Sequence, residues 1–322
     1  MRLATVLTPV SEDNLQLAAQ CGVSDVVTHY PGRSLDDLLK VQKMIESFGM
    51  KLSVIEGYLP IEEIKVGRDD GSELNDLKLL VQQMGEAGVP VLCYNFMAGT
   101  DWVRTRLDVP ARGGARVTGF DLKEVEQAVL LGHDAAGTRG ASTDKHISAE
   151  ELWINLEHLL VELIPVAERA GVVLAMHPDD PPLPELQGKA RIMNSVENFE
   201  RLVQLVPSAN NSICFCQGTF AEIGVDIPAT IHRLGQHISY VHFRDVRGTA
   251  ESFMETFHDD GPTDMVAAMQ AYKDIGFEGP IRPDHVPQLV GEDHGEPGYT
   301  MLGRLYAYGY MRGLIQATSA ED

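Results

Sequence analysis

"VVLAMHP" (172–178) is a run of five apolar residues that stops on a histidine and a proline, and "DDPP" follows it. Too short for an ordinary helix and rich in valine, it reads as a buried strand. Runs of the same kind recur at "LATVLT" (3–8), "DVVTHY" (25–30), "KLSVIEG" (51–57), "VPVLCYNF" (89–96), "SICFCQG" (212–218), "ISYVHFRD" (238–245) and "GPIRPDHV" (279–286). That makes eight strands, most of them followed by a helical pattern. The alternation predicts an α/β fold, a (β/α)8 TIM barrel. A doubly wound open sheet is the competing architecture. It often carries a glycine-rich βα turn, and the sequence holds neither G-x-G-x-x-G nor G-x-x-x-x-G-K-[ST].

The helical segments carry their own punctuation. "SLDDLLKVQKMIESFG" (34–49) opens on Ser34 as a candidate N-cap and stops at Gly49. Leu35, Leu38, Leu39, Met44, Ile45 and Phe48 fall mostly on one helical face. "ELNDLKLLVQQMGEAG" (73–88), "SVENFERLVQLV" (195–206), "DMVAAMQAYKDIG" (264–276) and "GYTMLGRLYAYGYMRGLIQA" (298–317) behave alike. "SAEELWINLEHLLVELIPVAERAG" (148–171) contains Pro165, where a kink is expected.

Composition narrows the function. The 322 residues carry a formal net charge of −21, a surface that repels phosphate backbones, so nucleic acid is not an expected partner. Four cysteines in so long a chain do not make a disulfide framework and fit a reducing, cytoplasmic compartment. The first residues lack the apolar core of a signal peptide, and no apolar run approaches the roughly 20 residues of a membrane span. The whole chain, 1–322, is expected to form one barrel domain.

The rhythm breaks at 98–148, where Gly, Ala, Thr and Arg dominate. After the fourth strand of a barrel such an insertion lies at the catalytic face, and it is expected to be an irregular lid. Its Arg104, Arg106, Arg112, Arg116 and Arg139 form a basic cluster in an acidic protein. They serve either as solvated loop or as a cover that helps hold a carboxylate.

Working residues in such barrels stand at the C-terminal ends of the strands. The fifth run ends with His177, the sixth with Cys216, the seventh carries His242, and the eighth carries Asp284. Each type ligates metals, and the four recur about one βα unit apart, so neighbouring strands present them to one centre. Singly, each has an ordinary reading: a polar strand end, a small buried thiol, a helix cap. Cys214 and Cys216 alternate onto one face; Cys216 is the nearer to the strand end and is taken as the ligand, with Cys214 as packing below. The donor set suits Zn²⁺ or Fe²⁺ and permits Mn²⁺. H-E-x-x-H is missing, which disfavours a zincin protease.

"VLCYNFM" with "DWVRT", then "MHPDDPP", "RI" at 191–192, "CQG", "VHFRD", "RPDH" and "PGYTMLGRLYAYGYMRG" together resemble the mannonate dehydratase family, in the same order and over most of the chain. The resemblance implies a xylose-isomerase-like barrel using Mn²⁺. It implies dehydration of D-mannonate to 2-keto-3-deoxy-D-gluconate in hexuronate breakdown. It makes His177, Cys216, His242 and Asp284 the metal ligands, and His285 and Tyr299 the acid–base pair, without assigning which is acid and which base. It also implies a sugar acid as the small-molecule partner; a homo-oligomer is expected. The competing reading is a different sugar acid, or a metal-dependent isomerase or epimerase on the same barrel.

Candidate substrate-side residues are Asn95 and Tyr94 after the fourth strand, Glu56 at the third and His29 at the second. Arg282 points to the same face as Asp284, either to bind a carboxylate in fork geometry or to form a structural ion pair. Arg244 is the weaker counterpart on the seventh strand. Asp179 and Asp180 either fix the tautomer of His177 or cap the loop. Departures from the family pattern fall on the substrate side. The insertion is shorter, "THYPGR" replaces paired histidines, and in "METFHDDG" Met254 stands where the family has histidine, while Glu255 and His258 are retained. His258 thereby joins the substrate-binding candidates.

Overall fold

The computed structural model describes residues 1–99, 102–127, 129–130 and 146–319. All eight expected strands are present: β1 (Arg2–Val6), β2 (Asp25–Thr28), β3 (Lys51–Glu56), β4 (Val91–Tyr94), β5 (Val173–Met176), β6 (Asn211–Cys216), β7 (Ile238–Phe243) and β8 (Pro280–Pro283). Each pairs in parallel with its neighbours, and β1 closes the ring on β8 through Arg2↔Pro280 and Leu3↔Ile281. The strands are shorter than the apolar runs predicted, because their last residues bend away into the loops that build the site.

Alternation along each strand makes two cores. Outward-facing side chains such as Val26, Leu52, Leu92, Leu174, Phe215 and Val241 pack under the helices. Inward-facing Ala4, Val6, Val27, Val54, Val91, Cys93, Ala175, Cys214 and Tyr240 fill the barrel itself. Small residues on most strands leave room for Tyr240 to span the interior, the layered filling expected of this architecture.

The helices follow the sequence signals closely. α1 (Glu12–Gln20), α2 (Leu35–Glu46), α3 (Ser72–Ala87) and α4 (Ala149–Ala170) lie in the first half. Ser34 sits at the N-cap position of α2, although its hydroxyl makes no capping bond. Ser148 and Glu151 form a reciprocal capping box on α4, and α4 runs through Pro165 as one continuous helix. Gly171 ends it at φ 68°, a left-handed conformation that glycine adopts without strain.

One expectation is corrected. The insertion after β4 is not simply irregular. Arg106–Pro110 and Arg116–Asp121 form a hairpin, and Arg116–Asp121 pairs antiparallel with Ser252–Glu255 from the loop after β7, which in turn pairs with Val246–Thr249. Exposure along "RLDVP" alternates residue by residue, the period-2 signature of a strand over solvent, beneath a composition dominated by Arg and Gly. Two excursions far apart in sequence therefore share one sheet beside the barrel mouth.

Candidate active site and metal centre

Register explains why the donors converge. Cys216 is paired with His242 across β6 and β7, and His242 with Arg282 across β7 and β8. His177 follows directly on β5, its backbone N–H donating to the Tyr94 carbonyl at 2.7 Å. The four expected ligands meet at the C-terminal mouth. His177 Nε2 lies 3.2 Å from His242 Nδ1, His242 Nδ1 3.7 Å from Asp284 Oδ2, and Cys216 Sγ 3.6 Å from Asp284 Oδ2. Donors bonded to one ion at about 2.0–2.3 Å stand about 3.3–3.7 Å apart along the edges of a tetrahedron. The separations fit.

Protonation agrees with them. Burial would push the Asp284 carboxyl up, but His285, Arg282, His242 and Arg244 outweigh it and hold it well below the usual range. Thr219 donates to the Cys216 sulfur at 3.2 Å. Among the deeper thiols, burial raises Cys93 to about 11 and lifts Cys214 as well. His242 is buried, its Nδ1 facing His177 and Asp284 and its Nε2 3.3 Å from Glu56 Oε1. In donor type, spacing and charge, these residues fit a divalent cation.

A pocket opens beside this group. Glu56, Tyr94, Asn95, Trp102, His177, His242, Arg282, Asp284, His285 and Tyr299 all contribute to its wall. The indole of Trp102 stacks on His285, and Tyr299 meets both rings edge-on at 5.5 Å and 5.7 Å. Glu255 holds His285 Nδ1 at 2.8 Å, with an Arg104 nitrogen 3.2 Å from the same atom, so Nε2 is the nitrogen left for proton exchange. Burial keeps the Tyr299 phenol protonated well above its usual value, Asp284 adding to the effect. The Arg304 guanidinium stands 5.1 Å from the centre of the Tyr299 ring.

Beneath the pocket lies a buried ion network that the sequence did not announce. Arg104 binds Asp180 with two nitrogens, at 2.6 and 3.0 Å, and Glu255 at 2.6 Å. Arg244 reaches Asp284 at 2.8 Å, Asp180 at 2.9 Å, Glu255 at 3.0 Å and Glu222 at 3.2 Å. Arg244 fits there because residue 218 is glycine: a Cβ would come within 2.5 Å of the guanidinium. Arg282 joins Asp284 at 2.7 Å to Glu56 at 2.8 Å, and Tyr240 donates to Glu56 at 2.7 Å. Against their burial, Asp180 is held down by Arg104 and Arg244, Glu255 by Arg244, His285 and Arg104, and Glu56 by Arg282 and His242. Burial and neighbouring Asp180 push Glu222 well above the ordinary carboxylate value, and it is left out of the charge balance. Three buried guanidiniums thus face four ionised carboxylates, one negative charge in excess before any cysteine ionises.

Several expectations change against this geometry. Arg282 and Arg244 are already engaged by protein carboxylates, which answers the choice between fork and structural ion pair in favour of the pair. Asp284 caps no helix. Asp180 pairs with arginines, and Asp179 accepts from Met193 N at 2.7 Å; neither fixes His177, whose Nδ1 lies 2.7 Å from the Pro178 carbonyl. Asn95 lines the pocket, but its Oδ1 accepts from buried Lys65 at 3.0 Å. His29 reaches the Glu56 carbonyl at 2.9 Å. His258 is fully buried behind β7, near Phe243, and is not part of the pocket wall, so direct substrate contact is not available to it. The basic cluster of the insertion is spent on ion pairs: Arg106 with Glu124, Arg112 with Asp259, Arg116 with Asp293. Arg139 lies outside the described residues. Trp102, Lys65 and Glu222 carry no mark in the sequence: a lone tryptophan in a loop has no periodic signal, and a buried charge shows only through its partners.

The chain is similar to proteins of known sequence and structure. Residues 8–322 match the family model described as D-mannonate dehydratase (UxuA). A mannonate dehydratase of Oceanobacillus iheyensis is 34% identical over 304 residues, covering 89% of this chain and 86% of that one. The crystal structure of mannonate dehydratase from Streptococcus suis serotype 2 superposes with a TM-score of 0.86 at 30% identity, covering 99% of this chain and 95% of that chain. A xylose isomerase domain protein from Planctomyces limnophilus shares the fold, with a TM-score of 0.62 at 14% identity over 98% of this chain and 97% of that chain.

Proposed function

The chain belongs to the D-mannonate dehydratase family, and from that premise we propose that it removes water from D-mannonate, giving 2-keto-3-deoxy-D-gluconate. The observation that carries the reading is the convergence of His177, Cys216, His242 and Asp284 beside His285 and Tyr299 in one pocket.

The reaction takes a weakly acidic proton from C2 and expels the hydroxyl from C3. His177, Cys216, His242 and Asp284 would hold a divalent cation, proposed as Mn²⁺, which would supply Lewis acidity to the reaction. Charge supports this. The buried network carries one negative charge in excess, and a second once Cys216 ligates as a thiolate; the two positive charges of the ion would cancel them and let an aldonate approach. His285 is assigned the base: Glu255 and Arg104 engage Nδ1 and leave Nε2 to take the C2 proton. Tyr299, held protonated by burial, gives its proton to the departing hydroxyl. Trp102 covers His285 and limits the access of water. Glu56, locked by Arg282 and Tyr240, is a rigid acceptor on the opposite wall for substrate hydroxyls.

The test is incubation of the purified chain with D-mannonate and added Mn²⁺, reading the 2-keto-3-deoxy acid by its thiobarbiturate colour. Product is expected, with its loss in EDTA and in His285→Asn and Tyr299→Phe. Metal-loaded protein that forms no such product would overturn the substrate assignment; an isomer or epimer of the sugar acid in its place would favour the isomerase reading. Metal analysis identifies the ion, and sedimentation tests the expected homo-oligomer.

A further inference from the structure

One layer below the proposed centre lie two further thiols. Cys93 on β4 and Cys214 on β6 are buried, and their sulfurs and a ring nitrogen of His242 all lie within 4.8 Å of one another. The strand between them is β5, and the residue paired with Cys93 there is Ala175, whose single methyl leaves the two sulfurs facing across the interior. Cys93 and His242 also line the pocket, so an ion entering it reaches two of the three donors directly. Glu56 Oε1, 3.3 Å from His242 Nε2, adds a carboxylate beside this group.

The geometry points to a second, thiophilic metal site, in which Cys93, Cys214 and His242 bind a soft divalent ion of the Zn²⁺ or Cd²⁺ class. Two sulfurs and one nitrogen form a softer set than the upper group, whose carboxylate suits harder ions. On binding, each thiol loses its proton to solvent, two metal–sulfur bonds replace two S–H bonds, and no electron is transferred. His242 belongs to both groups, so the two sites share one ring. Only that sharing rests on the function proposed above; the site itself stands on its own donors.

A Cys21→Ser/Cys216→Ser variant of the full chain tests it, because of the four cysteines only Cys93 and Cys214 are then left. Cd²⁺ is titrated while the ultraviolet thiolate-to-cadmium absorption and the circular dichroism are recorded together. The expected result is a band that saturates at one Cd²⁺ per chain with native dichroism, two protons released per ion, and loss of the band on adding Cys93→Ser. No band on natively folded protein, or a band that grows only as the native dichroism is lost, overturns the site. Cys216→Ala replaces Cys216→Ser if the latter does not fold. Absorbance is independent of turnover, so failure on D-mannonate leaves this result intact, and a missing band leaves the dehydratase assignment intact.

Discussion

The indole of Trp102 lies over the imidazole of His285 with ring centroids 4.1 Å apart and planes 23° from parallel. The residue comes from the insertion after β4, the histidine from the end of β8. The insertion therefore supplies one face of the proposed base, and Glu255, from the loop after β7, supplies the hydrogen bond that fixes its rotation. Trp102→Ala should lower kcat by about ten- to hundredfold, the scale of a small misplacement at a reacting group. Trp102→Phe, which keeps a stacking ring, should recover most of it. Steady-state kinetics of both variants checks this; equal loss in the two would argue that the indole N–H rather than the stack matters.

Gly218→Ala should act at a distance. The added methyl meets the Arg244 guanidinium, which must then leave Asp284, Asp180 or Glu255 with one bond fewer. Weakened metal retention and a lowered Tm are expected together, with Arg244→Met giving the same pair more strongly. Metal content after dialysis and a melting curve decide it; an unchanged Gly218→Ala protein would show that the network shifts without cost.

Removing Arg104 leaves Asp180 and Glu255 partly uncompensated in the interior. Breaking a buried pair in this way costs about 3–5 kcal/mol, so Arg104→Ala should lose that much in urea unfolding. Arg106→Ala, whose partner Glu124 is at the surface, should leave the urea midpoint almost unchanged.

The two cysteines of β6 should separate cleanly in retention of the divalent ion. Cys216→Ser is expected to lose the ion on dialysis, whereas Cys214→Ser keeps it, since Cys214 lies one layer below the four proposed ligands, in the barrel interior. Elemental analysis of the two variants after identical purification tells them apart. The reverse outcome would move the proposed ligand one layer down.

His258 gives a pH signature of its own. Burial lowers its imidazole to about 4 from the ordinary 6.5. Between those values the unfolded chain binds a proton that the folded one does not, so stability increases with pH across that window. The contribution is complete above about 6.5, declines as pH falls, and levels off near 4, amounting to about 3 kcal/mol. His258→Gln should flatten the urea midpoint over pH 4.5–6.5, a range set by about the same two limits. An unchanged slope would assign the acid sensitivity elsewhere.

The barrel was legible because each strand is a short apolar run punctuated by turn residues, a local property. The proposed metal donors were legible for a related reason: in this fold, equivalent strand ends face one centre, so a linear period becomes a ring of side chains. What escaped was everything assembled from unrelated stretches. Arg104, Asp180, Arg244 and Glu255 carry no shared spacing, and each alone resembles a surface charge. The strands of the insertion escaped because arginine and glycine hid the alternation of Leu107 and Val109 and the buried run from Val117 to Phe120. The same blindness put His258 among the substrate contacts, since nothing in "METFHDDG" reveals that this side chain turns inward.

Closure of the ring by Arg2↔Pro280 and Leu3↔Ile281 has a consequence for the order of events during synthesis. β1 leaves the ribosome before the other seven barrel strands, and its second edge stays unpaired until β8 is complete. Asp284 and His285 follow directly on β8, and Tyr299 comes after them. The nascent barrel therefore carries an exposed strand edge while its other strands are made, a liability for aggregation, and its chemistry is assembled only once the ring can close.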